Sequence, residues 1–198
     1  MDDRRRFREL WKELLLARAA GSVVGTIVFF LGFGLVVFIW GRDPNAKSVL
    51  ALGIFAAVGL GIPSSIAKRG KTAGPLVALA TFLAGAGLVA SFVASGTYWP
   101  DDIALPVTLG CTIGAVEGSL ERSWASLLTG ILGGTVSGLF FATYCPSYHH
   151  VDDIEVDFAF VAILHLGIGL SLALGRWIRD WPKRPAARAG DNPAPPGA

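Results

Sequence analysis

Six long apolar stretches alternate with short polar ones along this chain. The first, residues 20–40, carries no charged side chain. At a rise of about 1.5 Å per residue it extends roughly 31 Å, enough to cross a hydrocarbon core of about 30 Å. Comparable stretches follow at about 48–66, 73–95, 103–120, 124–144 and 157–178. The pattern predicts an all-α membrane protein, a six-helix transmembrane bundle over residues 20–178. Ahead of it, in residues 1–19, Phe7, Leu10, Trp11, Leu14 and Leu15 recur at helical spacing. Arg4, Arg5, Arg6, Arg8 and Lys12 supply the polar face. This predicts an N-terminal amphipathic interfacial helix on the cytoplasmic side. Residues 179–198, rich in Pro, Ala, Arg and Gly, are predicted to be a disordered cytoplasmic tail.

Punctuation residues refine these limits. Pro63 predicts a kink or an end in the second span, since proline removes a helical hydrogen bond. Pro75 and Pro106 are expected in the first turns of the third and fourth spans. Asp101 or Asp102 is the expected N-cap of the fourth span, and Ser123 that of the fifth. A turn is expected at Asp43-Pro44-Asn45. Trp40, Tyr98, Trp99, Trp124, Trp177 and Trp181 are expected at membrane interfaces.

Composition supports the membrane class. Charged residues make up only 16% of the chain and hydrophobic ones 53%, where a soluble domain has about a quarter charged. The formal net charge of +2 says little, but its distribution says more. Six spans put both termini on one side. Fifteen of the 17 Lys and Arg residues then share that side, leaving only Arg42 and Lys47 opposite. By the positive-inside rule both termini are cytoplasmic, N-in and C-in. A bacterial cytoplasmic (inner) membrane is the expected location. The first apolar run exceeds a cleavable signal's core and reads as a signal anchor. The N-terminal arginines then meet lipid headgroups, and no nucleic-acid partner is expected.

Glycine provides the most regular motif. Gly110, Gly114 and Gly118 are spaced by four, and after a short polar break so are Gly130, Gly134 and Gly138. Each stripe stays on one helix face, and small residues let helix backbones approach closely in lipid. The short break predicts an antiparallel hairpin of glycine-zipper helices. Weaker stripes are Gly53/Ala57/Gly61, Gly87/Ser91/Ser95 and Gly167/Ser171/Gly175. The stretch from Glu117 to Trp124, with the glycines after it, resembles glycine-zipper segments of uncharacterised bacterial membrane proteins, which implies no particular activity.

Polar groups in the spans are few. His165 falls at mid-span, with Cys111 and Ser137 at similar depth, and an intramembrane ionisable group marks a functional site by default. Glu117 and Glu121 lie four apart at the end of the fourth span and are expected in a solvated turn, with a cation or proton relay as the alternative, so that Glu117 joins His165, Cys111 and Ser137 as a candidate intramembrane polar site. The stretch HLGIGLSLALG around His165 is similar to the last catalytic helix of rhomboid proteases, but the chain holds no G-x-S-G nucleophile motif. His149, His150, Asp152 and Asp153 share an acidic external loop whose spacing fits no particular metal site. Cys111 and Cys145 make no disulfide framework. No phosphate-binding loop or H-E-x-x-H motif occurs, and no cofactor is expected.

These features predict a polytopic integral membrane protein, foremost a non-enzymatic helix-packing or assembly subunit. Its partners would be the lipid bilayer and a second copy or another membrane protein. Alternatives are a small transporter or channel for an ion or small solute, and, less favoured, an intramembrane enzyme.

Overall fold

The structure is a computed structural model of the chain. It describes residues 8–9, 12–41, 46–68, 72–95, 101–144 and 154–180. A wide-turned, π-type segment, Lys12–Ala19, runs directly into α1 (Ala20–Trp40). Then follow α2 (Ala46–Lys68), α3 (Ala73–Ser95), α4 (Asp101–Ser119), α5 (Trp124–Tyr144) and α6 (Ile154–Asp180). No strand occurs among the described residues.

Five stretches are long and apolar enough to cross a membrane: Leu16–Trp40, Lys47–Ala67, Ala73–Ser91, Trp124–Tyr144 and Phe158–Arg179. The apolar part of α4, Ile103–Ser119, is shorter, because two aspartates open that helix. Large apolar side chains such as Leu31, Phe38, Leu83, Leu132 and Val136 face outward. An apolar exterior of this kind is compatible with membrane integration, where lipid replaces water.

Several predicted boundaries move. The segment Lys12–Ala19 runs into the first span without a break, since the helical path is continuous from Lys12 to Trp40. Phe7, Leu10 and Trp11 of the amphipathic pattern lie outside the described residues, as do the Asp43-Pro44-Asn45 turn and the tail beyond Asp180. Pro63 does not end α2, which continues to Lys68. Pro63 is buried against α1 at Gly21, where an added Cβ would lie 2.6 Å from the Pro63 Cα. Glycine there makes the room the ring needs. Asp101 and Asp102 are the first residues of α4 rather than caps, which puts Pro106 beyond the first turn. Ser123 does precede α5, and its carbonyl accepts from Leu127 N–H at 2.9 Å.

The α4–α5 pair has the most extensive contact of any two helices, and its glycines explain why. An added Cβ on Gly110 would strike the Gly134 carbonyl, one on Gly114 the Gly130 carbonyl, and one on Gly138 the Pro106 carbonyl. Gly118 faces Ser126. The pairing runs antiparallel, and a four-residue turn closes it with Arg122 in the left-handed region at φ 52°. The two stripes are therefore turned on each other within one chain. A second such crossing, unforeseen in the sequence, joins α1 to α2. Gly25 and Gly59 meet backbone to backbone, each facing the other's carbonyl.

Helix α6 is the central element. Its apolar stretch is 56% buried, against 22–39% for the other four candidate spans. Leu164, Ile168 and Leu172 are fully covered and pack with Leu60, Val77, Leu109, Ile113 and Phe141.

Gly114→Leu or Gly134→Leu should force α4 and α5 apart. Overpacking of this kind costs about 1–3 kcal/mol, and more where backbone must move. Thermal unfolding in detergent should show a lower midpoint for both variants; unchanged midpoints would refute the close crossing.

Candidate functional site

Four helical elements each bring one polar side chain to a common point in the interior. Arg18 comes from the π-type segment, Ser64 from α2, Glu117 from α4 and His165 from α6. All four are 0% exposed. Arg18 Nη1 donates to Glu117 Oε1 at 3.1 Å and Nη2 to Oε2 at 2.5 Å, a two-pronged pair. Nη1 also donates to the His165 carbonyl at 3.1 Å. Ser64 Oγ donates to Glu117 Oε1 at 2.6 Å. The planar guanidinium suits this geometry, and lysine would not reproduce it.

Local sequence positions each group. The backbone carbonyl of Arg18 accepts from Ser22 Oγ at 2.8 Å, which ties the widened turn to the start of α1. Such turns are frequent at functional sites. Ser64 reaches the carboxylate only because α2 runs on past Pro63. Glu117 stands two turns beyond Leu109 and one beyond Ile113, on the buried face of α4.

The carboxylate is thus fully engaged, by two guanidinium bonds and a hydroxyl. The imidazole is not. His165 Nδ1 lies 3.6 Å from Glu117 Oε1, beyond hydrogen-bond length. Neither ring nitrogen has a hydrogen-bond partner among the described residues. A buried polar group left in this state is costly, and an unsatisfied one in a native fold calls for an explanation.

Glu117 overturns the expectation of a solvated turn. The helix end that holds it is covered by the π-type segment, α2 and α6, and Arg18 neutralises it there. Glu121, one turn on, is also mostly buried, 13% exposed, with Oε1 3.5 Å from Arg176 Nε. His165 does lie inside the protein as expected, and it meets Glu117. It does not pair with Ser137 or Cys111. Ser137 Oγ donates to the Gly133 carbonyl at 2.6 Å and packs against Gly167. Cys111 is a free, half-buried thiol outside the cluster. No Ser-His or Cys-His hydrogen bond forms among the described residues. His149, His150, Asp152, Asp153 and Cys145 lie outside the described residues.

Arg18 and Ser64 were missed in the sequence. Arg18 counted simply as one more cytoplasmic charge. The signal for it was present: it sits four residues after Leu14 and three after Leu15, on the apolar stripe rather than the basic face, and the same stripe continues through Ser22 and Thr26. Ser64 carried no comparable signal. Comparison with known proteins found no matching family model, curated protein or solved structure.

Removing one member of a buried pair strands the other's charge, at a cost of about 3–5 kcal/mol. Arg18→Met and Glu117→Gln should each destabilise the protein on that scale in chemical unfolding. Ser64→Ala removes one hydrogen bond to a charged group and should cost about 1.5–3 kcal/mol. Wild-type stability in all three would show that these contacts do not hold the fold.

Proposed function

We propose that this chain is a six-span integral membrane protein of a bacterial cytoplasmic membrane, with both termini in the cytoplasm, and that it is a small transporter or channel whose centre at Glu117 and His165 relays protons. The supporting observation is the buried imidazole whose ring nitrogens make no hydrogen bond of ordinary length among the described residues, with Nδ1 3.6 Å from a carboxylate that Arg18 pairs. Histidine is the side chain whose charge change falls nearest neutral pH. It accepts a proton on one ring nitrogen and releases one from the other. Glu117 faces the imidazole Nδ1 at 3.6 Å, and Arg18 offsets the carboxylate charge in a setting where an isolated charge would be costly. The orientation rests on the bias of Lys and Arg, while the outward-facing Trp40, Trp124 and Trp177 at helix ends mark the two interfaces. With Arg18 withdrawn into the interior, the remaining basic residues still favour the same side.

A second reading, the non-enzymatic assembly subunit, is favoured by a different observation. The glycine zippers of α4 and α5 occupy each other, but Gly34, Gly85 and Gly87 have no atom within 4 Å of an added Cβ. A partner helix would approach there. A strictly monomeric mass in mild detergent, with no co-purifying protein, would remove this reading.

Proton flux distinguishes the first. In proteoliposomes with a potassium-valinomycin potential and an internal pH dye, the protein should increase acidification over protein-free vesicles. His165→Leu should reduce that excess at least about tenfold, the effect expected for removing a positioned proton carrier. Arg122→Ala, in the turn, should leave it unchanged. Flux equal to that of empty vesicles would contradict the proposal.

A further inference from the structure

The π-type segment Lys12–Ala19 is anchored by one side chain. Of its described side chains, Lys12 and Leu16 are exposed, Ala17 and Ala19 are half-buried, and Arg18 alone is buried. Arg18 ties the segment to α4 through both oxygens of Glu117. The apolar span begins at Leu16, so Arg18 stands within one turn of the span's end. A guanidinium swung off Glu117 from that position reaches the headgroup region, as long basic side chains near the ends of membrane helices do.

The centre balances one cation, Arg18, against one anion, Glu117, with the His165 ring beside them. The elements around the ring supply little else that titrates. From α2 the Ser64 hydroxyl meets the carboxylate and the Leu60 carbonyl faces the ring. Helices α1, α3 and α5 contain no charged residue. Glu121 and Arg176 face each other nearer the ends of α4 and α6, and the other charged residues of α2, α4 and α6 lie at helix ends. A proton added to the imidazole gives the centre two cations and one anion. An uncompensated charge in an apolar interior is costly, so one cation has to leave. The imidazole is held in the middle of α6 between the buried Leu164 and Ile168. Arg18 has the short way out. Its Nε has no hydrogen-bond partner among the described residues, and water or a headgroup would supply one. Neither ring nitrogen of His165 meets solvent while Arg18 is in place, so the withdrawal that makes room for the proton also opens the way to the ring.

We propose that Arg18 and a protonated His165 are alternative counter-ions of Glu117, so that proton uptake at His165 releases the segment Lys12–Ala19 and proton loss draws it back. The proton comes from solvent and binds the ring nitrogen that lacks one. The Nδ1–H then donates to Glu117 Oε1 in place of Arg18 Nη1, across what is now a gap of 3.6 Å. Ser64 keeps its bond to the same carboxylate. The N-terminal segment is thereby a gate over the centre, opened and closed by the proton that the centre handles. This rests on the reading of His165 as the site of proton uptake.

The test uses the full chain in phospholipid nanodiscs and compares about pH 8 with about pH 5, which brackets histidine titration. Amide hydrogen exchange of residues 12–22, corrected for its intrinsic pH dependence, should be at least about tenfold faster at the lower pH, since a segment held by one contact opens locally once that contact is lost. In His165→Leu the two rates should agree. Unfolding midpoints provide the second readout. Arg18→Met should lower the midpoint at pH 8 and lose most of that deficit at pH 5, where His165 takes over Glu117. Arg18→Met combined with His165→Leu should keep the deficit at both. Recovery of this double variant at pH 5 would mean that Glu117 takes up the proton itself, and would overturn the proposal. So would wild-type exchange that ignores pH, or the same pH response in His165→Leu. Should Arg18→Met fail to fold, exchange in the wild type and His165→Leu decides. Proton flux without this exchange of partners would leave the relay standing and remove the gate; exchange of partners without flux would do the reverse.

Discussion

The structure depends on one buried ion pair. Arg18 and Glu117 are far apart in sequence, yet both prongs of the guanidinium engage the carboxylate with no exposure of either group. The pair joins the N-terminal segment to α4, and its remaining bonds recruit α2 through Ser64 and α6 through the His165 carbonyl. Four elements are thus fixed in register by one site. In an apolar interior that function is steeply conditional: a complete set of partners is tolerated, whereas a broken set leaves a charge with nowhere to go.

Around this point the chain uses two packing regimes. On one side, α4 and α5 cross at backbone contact through Gly110/Gly134 and Gly114/Gly130, and α1 crosses α2 through Gly25/Gly59. Where lipid surrounds helices there is little hydrophobic drive between them, so dispersion at close range has to hold them together. On the other side, α2 and α3 meet closely at Gly61/Gly74 and open from there, with α4, around an apolar groove. Tight crossings and an open groove meet at Leu60 and Leu109, a turn or two from the charged centre.

Helix order was legible because each apolar stretch is about as long as a membrane is thick, and the Gly110–Gly138 hairpin because its two stripes share one spacing across a short turn. The exact ends were less legible. Pro63 lies within α2 since Gly21 of another helix makes room for it, a fact no local rule contains. The site was legible in halves. His165 and Glu117 stood out as ionisable groups in or near apolar runs, but their meeting depends on how α4 sits against α6. Arg18 was read with the charges before it because composition gives side, not face. Its position on the stripe with Ser22 and Thr26 held the information. Ser64, a common residue near a helix end, held none.

A double-mutant cycle at Arg18 and Glu117 tests the central claim most directly. If the pair holds the four elements together, replacing both with apolar residues, Arg18→Met with Glu117→Leu, removes the stranded charge each single change creates. Chemical unfolding should then find the double variant more stable than either single one, with a coupling energy of about 3 kcal/mol or more, as expected for a buried pair. Additive losses, with the double variant the least stable of the three, would contradict the account.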